Sequence, residues 1–218
     1  MRNRKTCILT GGTFIALFAL LTLLIMIIDV QPVGQNGTDI GFAGFNVGFH
    51  EMTGVNMTLY TVTDWLGLVP IFICMIFGGV GFIQLIKRKS LFKVDKDIII
   101  LGIYYIIVIM AYLIFEMIPI NYRPIPIEGV METSYPSSTT LLVLSVMPTL
   151  VEQAGRRLSD DLIKKLITIF AVLFSLFMVI GRLISGVHWF TDIVGSVLLS
   201  IGLYYLYKGC VLSCRKEA

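Results

Sequence analysis

The sequence predicts an all-α polytopic membrane protein, with six transmembrane helices in one bundle spanning residues 1–218 and its functional loops on the extracytoplasmic face. Three observations lead there. Mean hydropathy is +0.88 and 56% of the residues are hydrophobic, more than a soluble domain with a polar surface carries. Six apolar stretches, 7–28, 66–86, 98–118, 137–155, 166–184 and 189–207, are each long enough to cross a hydrocarbon core of about 30 Å. Lysine and arginine are also segregated, with three at the N-terminus, five between the second and third spans, four between the fourth and fifth, and three in the C-terminal tail. Fifteen of the seventeen thus lie on one face, which the positive-inside rule makes cytoplasmic.

The first stretch follows three basic residues and ends at Asp29 without a small-residue cleavage pattern, so it reads as a span rather than a signal peptide. Residues 29–65 are polar and glycine-rich but keep Phe42, Phe45, Phe49 and Tyr60, which suits an extracytoplasmic segment lying along the membrane surface. Within it, His50-Glu51 reads as a solvated pair. The second span runs into Lys87-Arg88-Lys89, and the third ends before Pro119, Pro124 and Pro126, which forbid further helix and mark an ordered loop. The fourth opens at Ser137 and closes before the charged turn from Arg156 to Lys165. The fifth and sixth flank Gly181-Arg182-Leu183-Ile184-Ser185-Gly186-Val187-His188-Trp189-Phe190-Thr191-Asp192. Cys7 and Cys74 sit in apolar runs and Cys210 and Cys214 near the basic tail, a distribution that implies no disulfide framework.

Two arginines escape the segregation. Arg123 and Arg182 fall on the outer face, where topology supplies no reason for a positive charge, and so require a chemical one. A guanidinium offers a planar fork of donors suited to phosphate oxygens, and two from separate loops can hold a tetrahedral anion from both sides. Ser137, Ser138 and Thr139 open a helix, where hydroxyls, free backbone N–H groups and the dipole all favour an anion; each alone also fits a plain N-cap. His188 carries an imidazole competent as a nucleophile, and Asp192, one turn later, can orient it and stabilise the charge it acquires.

Arg182, five residues, His188, three residues, Asp192 resembles the third signature of the type 2 phosphatidic acid phosphatase family, membrane relatives of the vanadium haloperoxidases. Tyr135-Pro136-Ser137-Ser138-Thr139-Thr140 is similar to the second signature and Arg123-Pro124 to the end of the first. The resemblance implies that His188 forms a phosphohistidine with Asp192 as its partner. Arg123, Arg182, Ser137, Ser138 and Thr139 would then cradle the phosphate, with no metal or other cofactor. It implies a hydrolase of a phosphorylated or diphosphorylated lipid, with that lipid and the bilayer as partners and no nucleic acid. The expected location is a bacterial plasma membrane, with both termini cytoplasmic and the site outside.

Two positions depart from the family pattern. Glu116 stands where the first signature has lysine, and Thr139 where the second has the histidine that protonates the leaving oxygen. General-acid help is worth about 10²- to 10⁴-fold. Three readings follow: a diphosphate substrate whose leaving phosphate needs little protonation, Glu116 as a substitute acid, or an inactive relative that binds phosphorylated headgroups. A small transporter is a third class of function, disfavoured by the scarcity of intramembrane charge and of paired broken helices.

Overall fold

Eight α-helices organise residues 2–214, the part of the chain that the computed structural model describes. They are α1 (Arg2–Ile27), α2 (Ala43–Thr53), α3 (Met57–Leu66), α4 (Leu68–Arg88), α5 (Lys96–Met117), α6 (Ser138–Arg157), α7 (Asp161–Ile184) and α8 (Phe190–Cys214). Arg215 and Lys216 of the basic tail lie outside the described residues.

Among the described residues, five segments are long and apolar enough to cross a membrane: α1, α3 with α4 as one 32-residue run, α5, α7 and α8. The protein is therefore integral to a membrane. The sixth helix of the bundle, α6, falls short in apolarity for a reason visible in its neighbours. Its Thr140, Ser145, Thr149 and Gln153 are all buried and meet protein rather than lipid. Tyr104 donates to the Ser145 carbonyl at 3.1 Å, Tyr105 and Thr149 share a hydrogen bond of 2.8 Å, and Gln153 donates to the Tyr207 hydroxyl at 3.0 Å. A helix wrapped by others can carry such groups because partners replace the water that hydrocarbon lacks.

The longest seam joins α1 to α8, which brings the first and last spans side by side. Small residues set its closeness, since a Cβ added at Gly202 would lie 2.8 Å from Ile15 Cδ1, and one at Gly11 would lie 2.8 Å from Leu206 Cγ. In lipid, where apolar surface gives no drive to associate, close backbone approach is the main source of helix–helix attraction. At the basic end of the bundle, Arg88 pairs with Asp95 at 2.7 Å and Arg157 with Asp97 at 2.8 Å, tying α4, α5 and α6 together.

The interfacial segment is more structured than its composition suggests. α2 and α3 form within it, and α3 continues into α4 across Gly67 alone. Asn56 caps α3 by accepting from Leu59 N at 3.0 Å, and α3 then packs against the end of α7. His50 is not a solvated group: its Nε2 lies 3.0 Å from the Gly186 carbonyl oxygen. That contact and the docking of α3 bring the segment onto the loop that carries His188.

Candidate active site

Arg182 sits in the last turn of α7, where the helix dipole favours a cation. Its side chain is 1% exposed. Nη2 donates to Thr139 Oγ1 at 2.7 Å and to Asp64 Oδ1 at 3.2 Å, and the guanidinium lies over the Tyr60 ring, 4.9 Å from its centroid. Tyr60 and Asp64 are one turn apart on α3, so a single face of that helix supplies both contacts. Nε and Nη1 of Arg182 are buried without a hydrogen-bond partner.

Arg123 reaches the same ring from a different element. Residues 121–134 fold back on themselves, with Arg123 N bonded to Glu132 O at 3.0 Å and Ser134 N to Asn121 O at 2.9 Å. The reversal is made at Glu128 and Gly129, both with positive φ. Arg123 Cζ lies 5.9 Å from the Tyr60 centroid, so one aromatic ring serves two cations. Its Nε is 3.0 Å from Glu132 Oε2, but the N–H is not aligned for a hydrogen bond; Nε and Nη1 are both left unsatisfied.

His188 is held by a loop that only glycine permits at one point. Gly186 has φ +72°, and a Cβ there would stand 2.1 Å from the Gly54 carbonyl oxygen. Asn56 N bonds Ser185 O at 3.0 Å, and the buried Asn46 bonds Thr191 at the start of α8. Gly186→Ala is expected to cost about 1–2 kcal/mol in backbone strain alone, with more from the clash. Thermal unfolding in detergent should show the loss of stability, and phosphate release should fall with it; an unchanged melting temperature would mean that the loop relaxes freely.

Both ring nitrogens of His188 are buried and unpartnered. Nδ1 lies 3.6 Å from Asp192 Oδ2, within range of an ion pair but too far for a hydrogen bond. Asp192 is meanwhile fixed by the Trp189 amide at 2.9 Å and Asn121 Nδ2 at 3.4 Å. Burial, followed by the charges of Arg123 and Arg182, holds the His188 imidazole well below its ordinary pKa and hence neutral.

The second predicted segment divides. Ser137 is committed internally: its hydroxyl donates to Thr140 Oγ1 at 3.1 Å, its amide to Asp192 O at 3.3 Å, and its carbonyl accepts from Ser196. It makes no capping bond to the helix, so no capping side chain satisfies the first amides of α6. Ser138 lines the space beside His188, and Thr139 steadies Arg182. Glu116 is exposed and accepts from Thr133 Oγ1 at 2.7 Å. A polar cavity of about 150 Å³ brings Glu116, Arg123, Glu132, Ser138 and His188 together. Next to it, and sharing Tyr112 and Ser138, an apolar groove of about 520 Å³ runs between α4, α5 and α6 from Asp64 and Thr139 down past Ile71, Val108 and Leu142.

The sequence pattern of the PAP2 superfamily matches residues 104–216, just over half of the chain and the stretch that contains Arg123, Arg182, His188 and Asp192. The chain belongs to the PAP2 superfamily. Among solved structures, it is similar to the crystal structure of a transmembrane PAP2-type phosphatidylglycerolphosphate phosphatase from Bacillus subtilis, described as the first of its type. The likeness covers 94% of this chain and 96% of that one, with a TM-score of 0.67 and 18% identity, and is one of fold. No curated protein matches the chain. PAP2 membership agrees with the family resemblance of the three signatures and makes the protein a membrane hydrolase of the lipid phosphatase type.

Tyr60, Asp64, Asn121 and Glu132 join the site without having been singled out from the sequence. The available signal was electrostatic: two arginines set apart from the basic clusters need counter-charges, and Asp64 and Glu132 are carboxylates in the segments expected on their side.

Proposed function

We propose that the protein removes the terminal phosphate of a lipid diphosphate at the outer face of the membrane, through a phosphohistidine on His188. The observation that carries this reading is a set of buried donors left without acceptors near the polar cavity: Nη1 of Arg123, which lines it, and Nε and Nη1 of Arg182, whose guanidinium shares the Tyr60 ring with that of Arg123. Each unsatisfied buried donor costs about 1–3 kcal/mol, and a phosphate offers the acceptors that satisfy them. The unpartnered imidazole of His188 stands beside the same space. Its neutral state leaves a lone pair for attack on phosphorus.

Since Nδ1 faces Asp192, Nε2 is the attacking atom. The bond from Nε2 to the terminal phosphorus forms as the bond from that phosphorus to the bridging oxygen breaks, the lipid monophosphate leaves, and the imidazolium that results is stabilised by Asp192. Water then attacks phosphorus, releasing inorganic phosphate and restoring His188. The arginines hold the non-bridging oxygens as charge develops on them. The apolar groove beside Ser138 and Thr139 supports a lipid as the substrate, because a chain can lie there while its headgroup meets the arginines. The basic rim at the opposite end of the bundle supports an outward-facing site in a plasma membrane.

Thr139 bears on the leaving group. It bonds Arg182 at 2.7 Å and supplies no proton at ordinary pH. An alkoxide leaving group suffers from that lack, whereas a leaving phosphate, with a second pKa of about 6, does not. A panel of lipid monophosphates and diphosphates, assayed with wild type and Thr139→His, tests the reading. Wild type is expected to favour diphosphates, and the variant to gain about 10²-fold or more on monophosphates alone. Turnover of nothing by either protein would reject the enzymatic reading.

A further inference from the structure

The imidazole of His188 has no hydrogen bond of its own to hold it. Both ring nitrogens are without a partner, and Asp192 stands 3.6 Å from Nδ1, so the place of the ring is set by the backbone on either side of it. That backbone is gripped by α2. Two residues before His188, the Gly186 carbonyl accepts from His50 Nε2 at 3.0 Å. Three residues after it, Thr191 is bonded twice to Asn46: its amide donates to Oδ1 at 3.3 Å and its hydroxyl accepts from Nδ2 at 3.0 Å.

Asn46 and His50 are one turn apart on α2, so a single face of that helix holds both ends of the segment. Asn46 is fully buried, and its Nδ2 also donates to the Gly41 carbonyl at 2.9 Å, which fixes the orientation of its amide. The bond it accepts meets a need that the loop leaves open. Thr191 is the second residue of α8, and its N–H is one of the first-turn donors with no acceptor inside the helix. Trp189, the residue before the helix, carries no side-chain oxygen with which to cap it. Alongside, Phe45 and Phe49 of α2 pack on Phe190, each with ring centroids 5.1 Å apart.

We propose that Asn46 and His50 are positioning residues for the reaction, clamping the loop so that Nε2 of His188 reaches phosphorus. The inference rests on the reading of His188 as the nucleophile. Both residues lie outside the stretch 104–216 that carries the PAP2 pattern, and neither lines the polar cavity, so they act through the main chain. A ring anchored only by its own backbone follows any shift of that backbone, and a displacement of about 1 Å costs about 10²-fold in rate. The arginines are held separately, Arg182 by Thr139 and Asp64 and Arg123 by the fold-back of 121–134. Loss of the clamp should therefore slow phosphoryl transfer and leave substrate binding as it was.

The test uses the full-length protein and a lipid diphosphate. In Asn46→Ala with His50→Phe, kcat is expected to fall about ten- to a hundred-fold, with KM within about twofold of wild type. Phosphate accumulating on the protein in a single turnover, read after an alkaline detergent quench, should appear more slowly by the same factor. His50→Gln keeps a side-chain N–H for the Gly186 carbonyl and should restore most of the rate lost in His50→Phe. A role confined to stability would lower the melting temperature and leave the kcat of folded protein unchanged; that result would overturn the clamp. If the double variant does not fold, the single variants at His50 decide, and equal kcat in His50→Phe and His50→Gln would also overturn it. A wild type that traps no phosphate on the protein would instead remove the nucleophile reading itself, whereas trapping that is equally fast in wild type and variants would remove the clamp alone.

Discussion

Phosphate release is expected to fall by about 10⁴-fold or more in His188→Ala, the loss that follows when a nucleophile acting as a unit with its partners is removed. The reason is geometric as well as chemical. No other imidazole can substitute, since His50, the second of two histidines, is held by its Nε2 contact with the Gly186 carbonyl. Quenching of wild type during turnover with alkaline detergent, in which a phosphohistidine survives, should trap phosphate on the protein, and His188→Ala should trap none. Release within tenfold of wild type would remove His188 from the role. The low pKa adds a second readout. Burial and the two arginines disfavour the imidazolium, so His188 should stay neutral as pH falls through about 6.5, where a free imidazole gains its proton. Ring signals in NMR, assigned by His50→Gln, should show no titration of His188 there. A midpoint at or above 6.5 would contradict the electrostatic account.

Arg182→Ala should lower kcat/KM by about 10²- to 10³-fold, the cost of truncating one member of a buried charge pair. Two losses combine in it. The phosphate loses a fork of donors, and Thr139 and Asp64 lose the group that orders them. Arg182→Lys separates the contributions, because an ammonium keeps the charge without the planar fork. Its activity should lie between those of wild type and alanine. Equality of lysine with wild type would mean that charge alone suffices, and equality of lysine with alanine that the fork is everything.

The spans were legible because lipid imposes one requirement on every residue of a crossing helix, and hydropathy reports it directly. The helix expected as the fourth span, over 137–155, is present as Ser138–Arg157, but its polar residues leave it outside the five helices apolar enough to cross a membrane. Arg123, Arg182 and His188 were legible as polar groups without a topological excuse; Arg123 and His188 line one cavity, and Arg182 meets Arg123 across the Tyr60 ring. The roles inside the cluster were less so. Ser137 carries the right hydroxyl, but that hydroxyl and its amide are bonded within the fold, which spacing alone does not reveal. Asp64 and Tyr60 escaped notice because their partner lies 118 residues from Asp64, and only the docking of α3 on α7 brings them together. Glu132 depends likewise on the reversal at Glu128 and Gly129.

The polar interior of α6 bears on how the protein is made. A segment carrying Ser145, Thr149 and Gln153 partitions poorly into hydrocarbon by itself, and Thr149 and Gln153 find partners in tyrosines on other helices. Tyr104 and Tyr105 precede it in synthesis, but Tyr207, the partner of Gln153, follows that residue by 54 positions. The helix that begins at Ser138 therefore reaches its final seat only once α8 has been made. Until α8 is in place, the nascent protein has no assembled site, because His188 and Asp192 flank the start of that helix.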